Sequence, residues 1–282
     1  RGMFVLGSRL ATGRGVPMNE AQAAKWYRRA AGQGDTNAMS ALGVMLQNGS
    51  GVPKDEVQAA KWFRRAADEG NANAMSNLGA TLESGRGVAK DEVQAAKWFR
   101  RAADQGEALA MYKLGRMLAA GRGVGKDEAQ ALDWYRRAAE DGETNAMFAL
   151  GVMLESGRGV AKDEVQAAKW FRRAAEEGNT IAMSNLGGML ELGRGVPKDE
   201  ARAAEWYRRG ADQGEAAAMF NLGRVLQSGC GVAKDEALAA SWYRRAAEKG
   251  EMRATINLGG MLASGRGVAK DEAQAVEWYR RA

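Results

Sequence analysis

The chain contains no histidine and a single cysteine, Cys230. The first absence removes the commonest general base and the commonest zinc ligand. The second excludes an internal disulfide. No run of about 18 apolar residues occurs, so no membrane span is expected. No basic-then-apolar leader opens the chain, and Arg1 starts in the middle of a repeat, so the sequence reads as an array truncated at both ends. An excess of one charge is also missing. The 41 basic and 35 acidic residues leave +6, spread evenly along 282 residues. Nucleic-acid binders gather their basic residues on one patch, so nucleic acid is not an expected partner.

What is present is periodic. Tryptophan falls at positions 26, 62, 98, 134, 170, 206, 242 and 278, always 36 residues apart. The leucine of a Leu-Gly pair keeps the same step at 6, 42, 78, 114, 150, 186, 222 and 258. Residues 84–103 recur letter for letter at 156–175. Eight units follow, at 1–34, 35–70, 71–106, 107–142, 143–178, 179–214, 215–250 and 251–282.

Within the unit 71–106, Asn71 suits a helix N-cap, and Ala74, Met75, Leu78, Gly79 and Leu82 form one apolar stripe. Gly85 is placed to end that helix in the left-handed conformation, Gly87 to complete a short loop, and Val88 to tuck into the core. Asp91 and Gln94 make a capping-box pattern for a second helix. That helix carries Ala95, Trp98, Phe99, Ala102 and Ala103 on its buried side and ends at Gly106. One helix pair cannot bury this surface alone, but stacked copies can. The spacing places every tryptophan in the core. It leaves the Arg-Arg pairs (Arg28-Arg29 to Arg280-Arg281) on a solvated face, balanced by nearby acids such as Asp68 and Glu69. The repeated Gly-x-Gly-Val is a turn rather than a phosphate cradle, because no strand precedes it.

Ala-Met-x-x-Leu-Gly, then Gly-x-Gly-Val-x-Lys-Asp, then Ala-Ala-x-Trp-Phe-Arg-Arg-Ala-Ala resembles the Sel-like repeat family, a relative of the tetratricopeptide repeats. The resemblance covers essentially the whole chain. It implies an all-α fold, an α/α right-handed superhelical solenoid of helix–loop–helix repeats, used as an adaptor scaffold. It also suggests the bacterial periplasm, the cell envelope or secretion. Cysteine-rich members carry a disulfide in each repeat; here the lone Cys230 stands where a loop arginine is expected.

The first helices keep their Leu-Gly and second leucine, while four other positions change from unit to unit and share one face. In tetratricopeptide relatives the first helices line a concave groove, so the resemblance puts this stripe there. Asn37, Asn73, Asn77, Asn145, Asn185, Asn221 and Asn257 are the expected contacts to a peptide backbone, since an amide both donates and accepts. Lys113, Arg116, Arg224 and Arg253 are the expected contacts to acidic groups. The expected partner is therefore another protein, or an extended or acidic peptide. Alternatives are an anionic glycan or nucleic acid held by the arginine ladders, or a structural or designed array without a ligand. End-to-end self-association is expected from uncapped ends. No nucleophile–base pair, metal cluster or cofactor motif can be assembled, so no catalytic residue, metal or cofactor is expected.

Overall fold

The computed structural model describes residues 2–282. Among the described residues there are sixteen α-helices and no strand. In chain order they are α1 (Gly2–Thr12), α2 (Glu20–Gly32), α3 (Thr36–Asn48), α4 (Glu56–Asp68), α5 (Ala72–Ser84), α6 (Glu92–Asp104), α7 (Ala108–Ala120) and α8 (Glu128–Glu140). Then follow α9 (Thr144–Ser156), α10 (Glu164–Glu176), α11 (Thr180–Leu192), α12 (Glu200–Asp212), α13 (Ala216–Ser228), α14 (Glu236–Glu248), α15 (Met252–Ser264) and α16 (Glu272–Arg281). Odd-numbered helices are the first of each repeat and even-numbered ones the second. The chain forms two compact units, one reaching to Glu143 and the other running from Thr144. No described helix is long and apolar enough to cross a membrane.

Each repeat is held by a ring set on a bare glycine. In α6 the deepest aromatic is Phe99, fully buried, and it lies against Gly79 of α5. A Cβ added to Gly79 would come within 2.8 Å of that ring. The same close approach recurs for Gly43 under Phe63, Gly115 under Tyr135, Gly151 under Phe171, Gly187 under Tyr207 and Gly223 under Tyr243. Around it, Ala74, Met75, Leu78 and Leu82 of α5 meet Ala95, Ala102 and Ala103 of α6. Small residues beside the ring let the helices approach, and the ring fills the space they leave.

The tryptophans are shallower than their spacing suggests. Trp98, Trp134 and Trp242 are buried, but Trp26, Trp62, Trp170, Trp206 and Trp278 are half-buried. Part of their remaining surface is covered from one turn on. The second arginine of each pair folds back over the indole of its own helix, as in Arg101 at 4.3 Å from the Trp98 ring and Arg209 at 4.1 Å from that of Trp206. This also revises the reading of the Arg-Arg pairs. The second arginine lies over its ring, the first is left on the solvated face, and Arg136–Asp133 and Arg65–Glu69, both at 3.6 Å, are helix-surface pairings of the expected kind.

Loops and caps tie the repeats together. Asn71 accepts from the Ala74 amide at 2.9 Å, and Gly85 ends α5 with φ +73°. Gly87 combines φ +68° with a close approach, for a Cβ there would lie 2.2 Å from the Glu56 carbonyl oxygen at the start of α4. Within each unit such a loop therefore rests on the second helix of the preceding repeat. The capping box does not close reciprocally. Asp91 accepts from the Gln94 amide at 2.9 Å, but its own N–H donates to the Leu82 carbonyl at 3.0 Å, so no donor remains for the glutamine. Val88 is half-buried rather than in the core, at the edge of this loop. The loop lysines pair with the first glutamate of the next helix at 2.6–2.9 Å, from Lys54–Glu56 to Lys270–Glu272.

Within each unit, every first helix packs on its own second helix, and that one on the following first helix. First helices of neighbouring repeats also touch directly, α3 on α5 and α11 on α13. The first helices thus form the tighter side of each stack.

Replacing Phe99 with Ala is expected to cost about 3–5 kcal/mol, because it empties the centre of a repeat. Gly79→Ala should cost about 1–3 kcal/mol through the ring clash, although alanine alone favours a helix by about 1 kcal/mol. Trp62→Ala should cost less than Phe99→Ala. Urea denaturation checks all three, and a raised midpoint for Gly79→Ala would remove the ring-on-glycine contact as the constraint.

Candidate binding site

The variable stripe lies on the side of the first helices turned away from their second helices. In α11, Ala182, Met183, Leu186, Gly187, Met189 and Leu190 are buried, whereas Asn185 and Gly188 are half-exposed and Ile181 and Leu192 exposed. In the second unit this face opens into a recess of about 520 Å³. It brings together Asn185, Asn221, Arg224 and Arg253, with Ser184 and Tyr207 beside them. In the first unit a smaller recess of about 340 Å³ gathers Asn37, Asn73 and Asn77 with Ser40, Ser76 and Phe4. Lys113, Arg116, Asn145 and Asn257 line neither recess.

What opens the recesses is a position that the stripe omitted. At 4, 40, 76, 112, 148, 184, 220 and 256 the chain reads Phe, Ser, Ser, Tyr, Phe, Ser, Phe, Ile. Where this residue is aromatic, it packs on the buried ring of its own repeat, with centroids 5.6–5.9 Å apart for Phe4–Tyr27, Tyr112–Tyr135, Phe148–Phe171 and Phe220–Tyr243. Where it is Ser40, Ser76 or Ser184, that volume is left open.

A second omitted position supplies carboxylates. Glu83, Glu155 and Glu191 stand near the ends of α5, α9 and α11 and face the next repeat. Arg122 reaches Glu83 at 2.7 Å with Arg116 at 3.7 Å, and Arg194 reaches Glu155 at 3.1 Å. At Glu191 the loop partner would be residue 230, which is cysteine; Arg224 of α13 donates to the carboxylate instead. Tyr207 donates to the same carboxylate at 2.8 Å. Burial opposes charge on Glu191, but the hydrogen bonds from Arg224 and Tyr207 outweigh it and hold the carboxyl below its usual range. Burial, then the bond to Glu191, pushes the Tyr207 hydroxyl well up.

The expected basic contacts are therefore not equivalent. Arg116 and Arg224 spend charge on internal carboxylates. Arg253 pairs with Glu251 at 2.8 Å and lies 4.4 Å over the Phe220 ring, while remaining exposed. Lys113 forms no ion pair among the described residues. Some amides are engaged as well. Asn37 accepts from Asn71 at 2.8 Å, Asn257 bonds Tyr243, and Asn77 is 3.5 Å from Ser40. Aligning the units on their 36-residue step displays both omitted positions. What it cannot display is that Glu191 and Arg224, 33 residues apart, point at one another.

A family model described as Sel1 repeat matches residues 1–35, 36–71, 72–107, 108–143, 144–179, 180–215, 216–251 and 253–282. The chain belongs to the Sel1 repeat family. Sel1 repeat proteins generally serve as protein-interaction scaffolds, and the fold is typically non-catalytic. Among solved structures, c5321, a protective antigen present in uropathogenic Escherichia coli strains that displays an SLR fold, is 36% identical. The match has a TM-score of 0.72 and covers 99% of this chain and 68% of that one. A Sel1 repeat protein from Oxalobacter formigenes is 30% identical with a TM-score of 0.78, over 86% of this chain and 96% of that one. The immunity protein PA5088 from Pseudomonas aeruginosa, 21% identical with a TM-score of 0.51 over 74% of this chain and 79% of that one, shares the fold alone. No curated protein sequence matches the chain.

The Glu191 cluster gives this Sel1 repeat array an acid response. The folded carboxyl lies below its ordinary range, so its pairing stabilises fully above about pH 4–5 and fades as pH falls through the folded value. Glu191→Gln should lower the urea midpoint at neutral pH, by on the order of 1–2 kcal/mol. The gap to the parent should narrow as pH falls and close only below the depressed folded value, where both side chains are neutral. A gap independent of pH would mean that the pairing is not linked to stability.

Proposed function

We propose that this Sel1 repeat chain is a non-catalytic scaffold that holds an extended polypeptide segment along the variable face of its first helices. The observation that carries the reading is the 520 Å³ recess of the second unit, where two amides and two arginines from successive first helices converge over a floor cleared by Ser184. Asn185 and Asn221 supply main-chain hydrogen bonds, with Asn37, Asn73, Asn77, Asn145 and Asn257 as further contacts along the stripe. Backbone reading of this kind tolerates many sequences, which suits an adaptor. Acidic groups on the partner meet Arg253 and Lys113. Arg116 and Arg224 contribute the donors left over from their internal carboxylates, since a guanidinium has five. The internal pairing holds those two arginines in place, so less rotamer freedom is lost on binding.

Peptides of about 12 residues, long enough at about 3.3 Å each to cross several repeats, can be selected from a random library on the intact chain. Gly188 borders the recess, and a Cβ there would meet only the Tyr207 hydroxyl at 3.7 Å, an ordinary contact. Gly188→Trp should thus fill the recess without disturbing the core. We expect this change, and the combination Asn185→Ala, Asn221→Ala and Arg253→Ala, each to weaken the selected peptides about tenfold or more, a loss of about 1.4 kcal/mol. Thermal midpoints should hold. Peptides that bind both variants as tightly as the parent would refute the groove.

A further inference from the structure

Charge is even along the sequence but not around the second helices. The residue just before each tryptophan reads Lys25, Lys61, Lys97, Asp133, Lys169, Glu205, Ser241 and Glu277. In the first three repeats it is lysine, and it stands three residues before the first arginine of the Arg-Arg pair. Lys25 and Arg28, Lys61 and Arg64, and Lys97 and Arg100 therefore share one helix face at the same register on α2, α4 and α6. All six are exposed, and none forms an ion pair with another described residue. Asp68 and Asp104 lie one turn beyond Arg64 and Arg100 without closing a pair. The rows recur at the 36-residue step on successive second helices, and Arg100 of the third row reaches Gln130 of the next one, α8, at 3.5 Å. At α8 the strip stops, because Asp133 replaces lysine and pairs with Arg136 at 3.6 Å.

We propose that this strip on the first unit binds an acidic polysaccharide, as a surface separate from the first-helix groove. Three rows of two cations, repeated once per second helix, match a linear chain bearing carboxylate or sulfate groups at intervals. Gln22, Gln58 and Gln94 stand one turn before the lysines on the same face. Their amides donate and accept, which suits sugar hydroxyls between the anionic groups. Beside Gln22, Lys25 and Arg28 the surface is hollowed into an open recess of about 610 Å³ that also borders Trp26. Single-stranded nucleic acid fits less well. Stacking a base requires a free aromatic face, and Arg29, Arg65 and Arg101 already lie 4.3–5.7 Å over the rings of Trp26, Trp62 and Trp98.

Dextran sulfate and polygalacturonate serve as probes, with neutral dextran as the uncharged control, at about 0.15 M salt. Two variants remove equal charge. Lys25→Gln with Lys61→Gln and Lys97→Gln clears the strip. Lys54→Gln with Lys90→Gln and Lys126→Gln clears loop lysines already paired with glutamates. The parent should bind both anionic polymers and not dextran, with affinity falling steeply as salt rises. The strip variant should lose about tenfold or more while the loop variant stays within about twofold of the parent. Asp133→Lys, which adds a fourth row, should tighten binding several-fold, so the test does not rest on loss alone. Equal losses from the two triple variants would reduce the effect to net charge and overturn the site. Tighter binding to duplex DNA or to phosphatidylglycerol vesicles than to either polysaccharide would overturn the assigned ligand.

Discussion

The fold depends on one contact, an aromatic ring pressed onto a helix surface that has no side chain. Phe99 on Gly79 and its counterparts bring two helix axes closer than any larger residue would allow. The contact fixes rotation as well as distance. Once the ring sits over the glycine, the stripe that carries Asn185 or Asn221 has to point away from the second helix. The face available to a partner is thus set by a core interaction on the opposite side of the same helix.

Much of this was legible in the sequence. The 36-residue step, the capping residues and the left-handed glycines gave the helices and their order, because each rests on local chemistry that repeats. The depth of burial was less legible. Adjacent aromatics such as Trp98 and Phe99 differ by about a hundred degrees around the helix, and period alone did not say which one faces the glycine. Nor did it show that one arginine of each pair would cover the indole. At the candidate site, the variable stripe was readable, while the pairing of Arg116 and Arg224 was not. Those bonds run between repeats, to carboxylates at a position outside the stripe.

The internal carboxylates change how the charges on the first-helix face are understood. An arginine already bound to glutamate offers directed donors more than net attraction, whereas Lys113 and Arg253 keep exposed charge. On the second helices the division is similar. One arginine of each pair shields a ring and the other faces solvent. In both places the repeat uses part of its charge to hold itself together, and only the remainder is available to a partner.

The loop that carries Gly87 touches the preceding repeat through the backbone carbonyl of Glu56, and the equivalent loops meet the backbone of Glu20, Glu92, Glu164, Glu200 and Glu236. A junction that reads main chain is indifferent to the side chains on either side of it. At this point of the seam, copies can be duplicated, deleted or exchanged in whole steps without a change of side chain. The identical stretches at 84–103 and 156–175 fit such modular exchange, which leaves the face presented to partners free to diversify one repeat at a time.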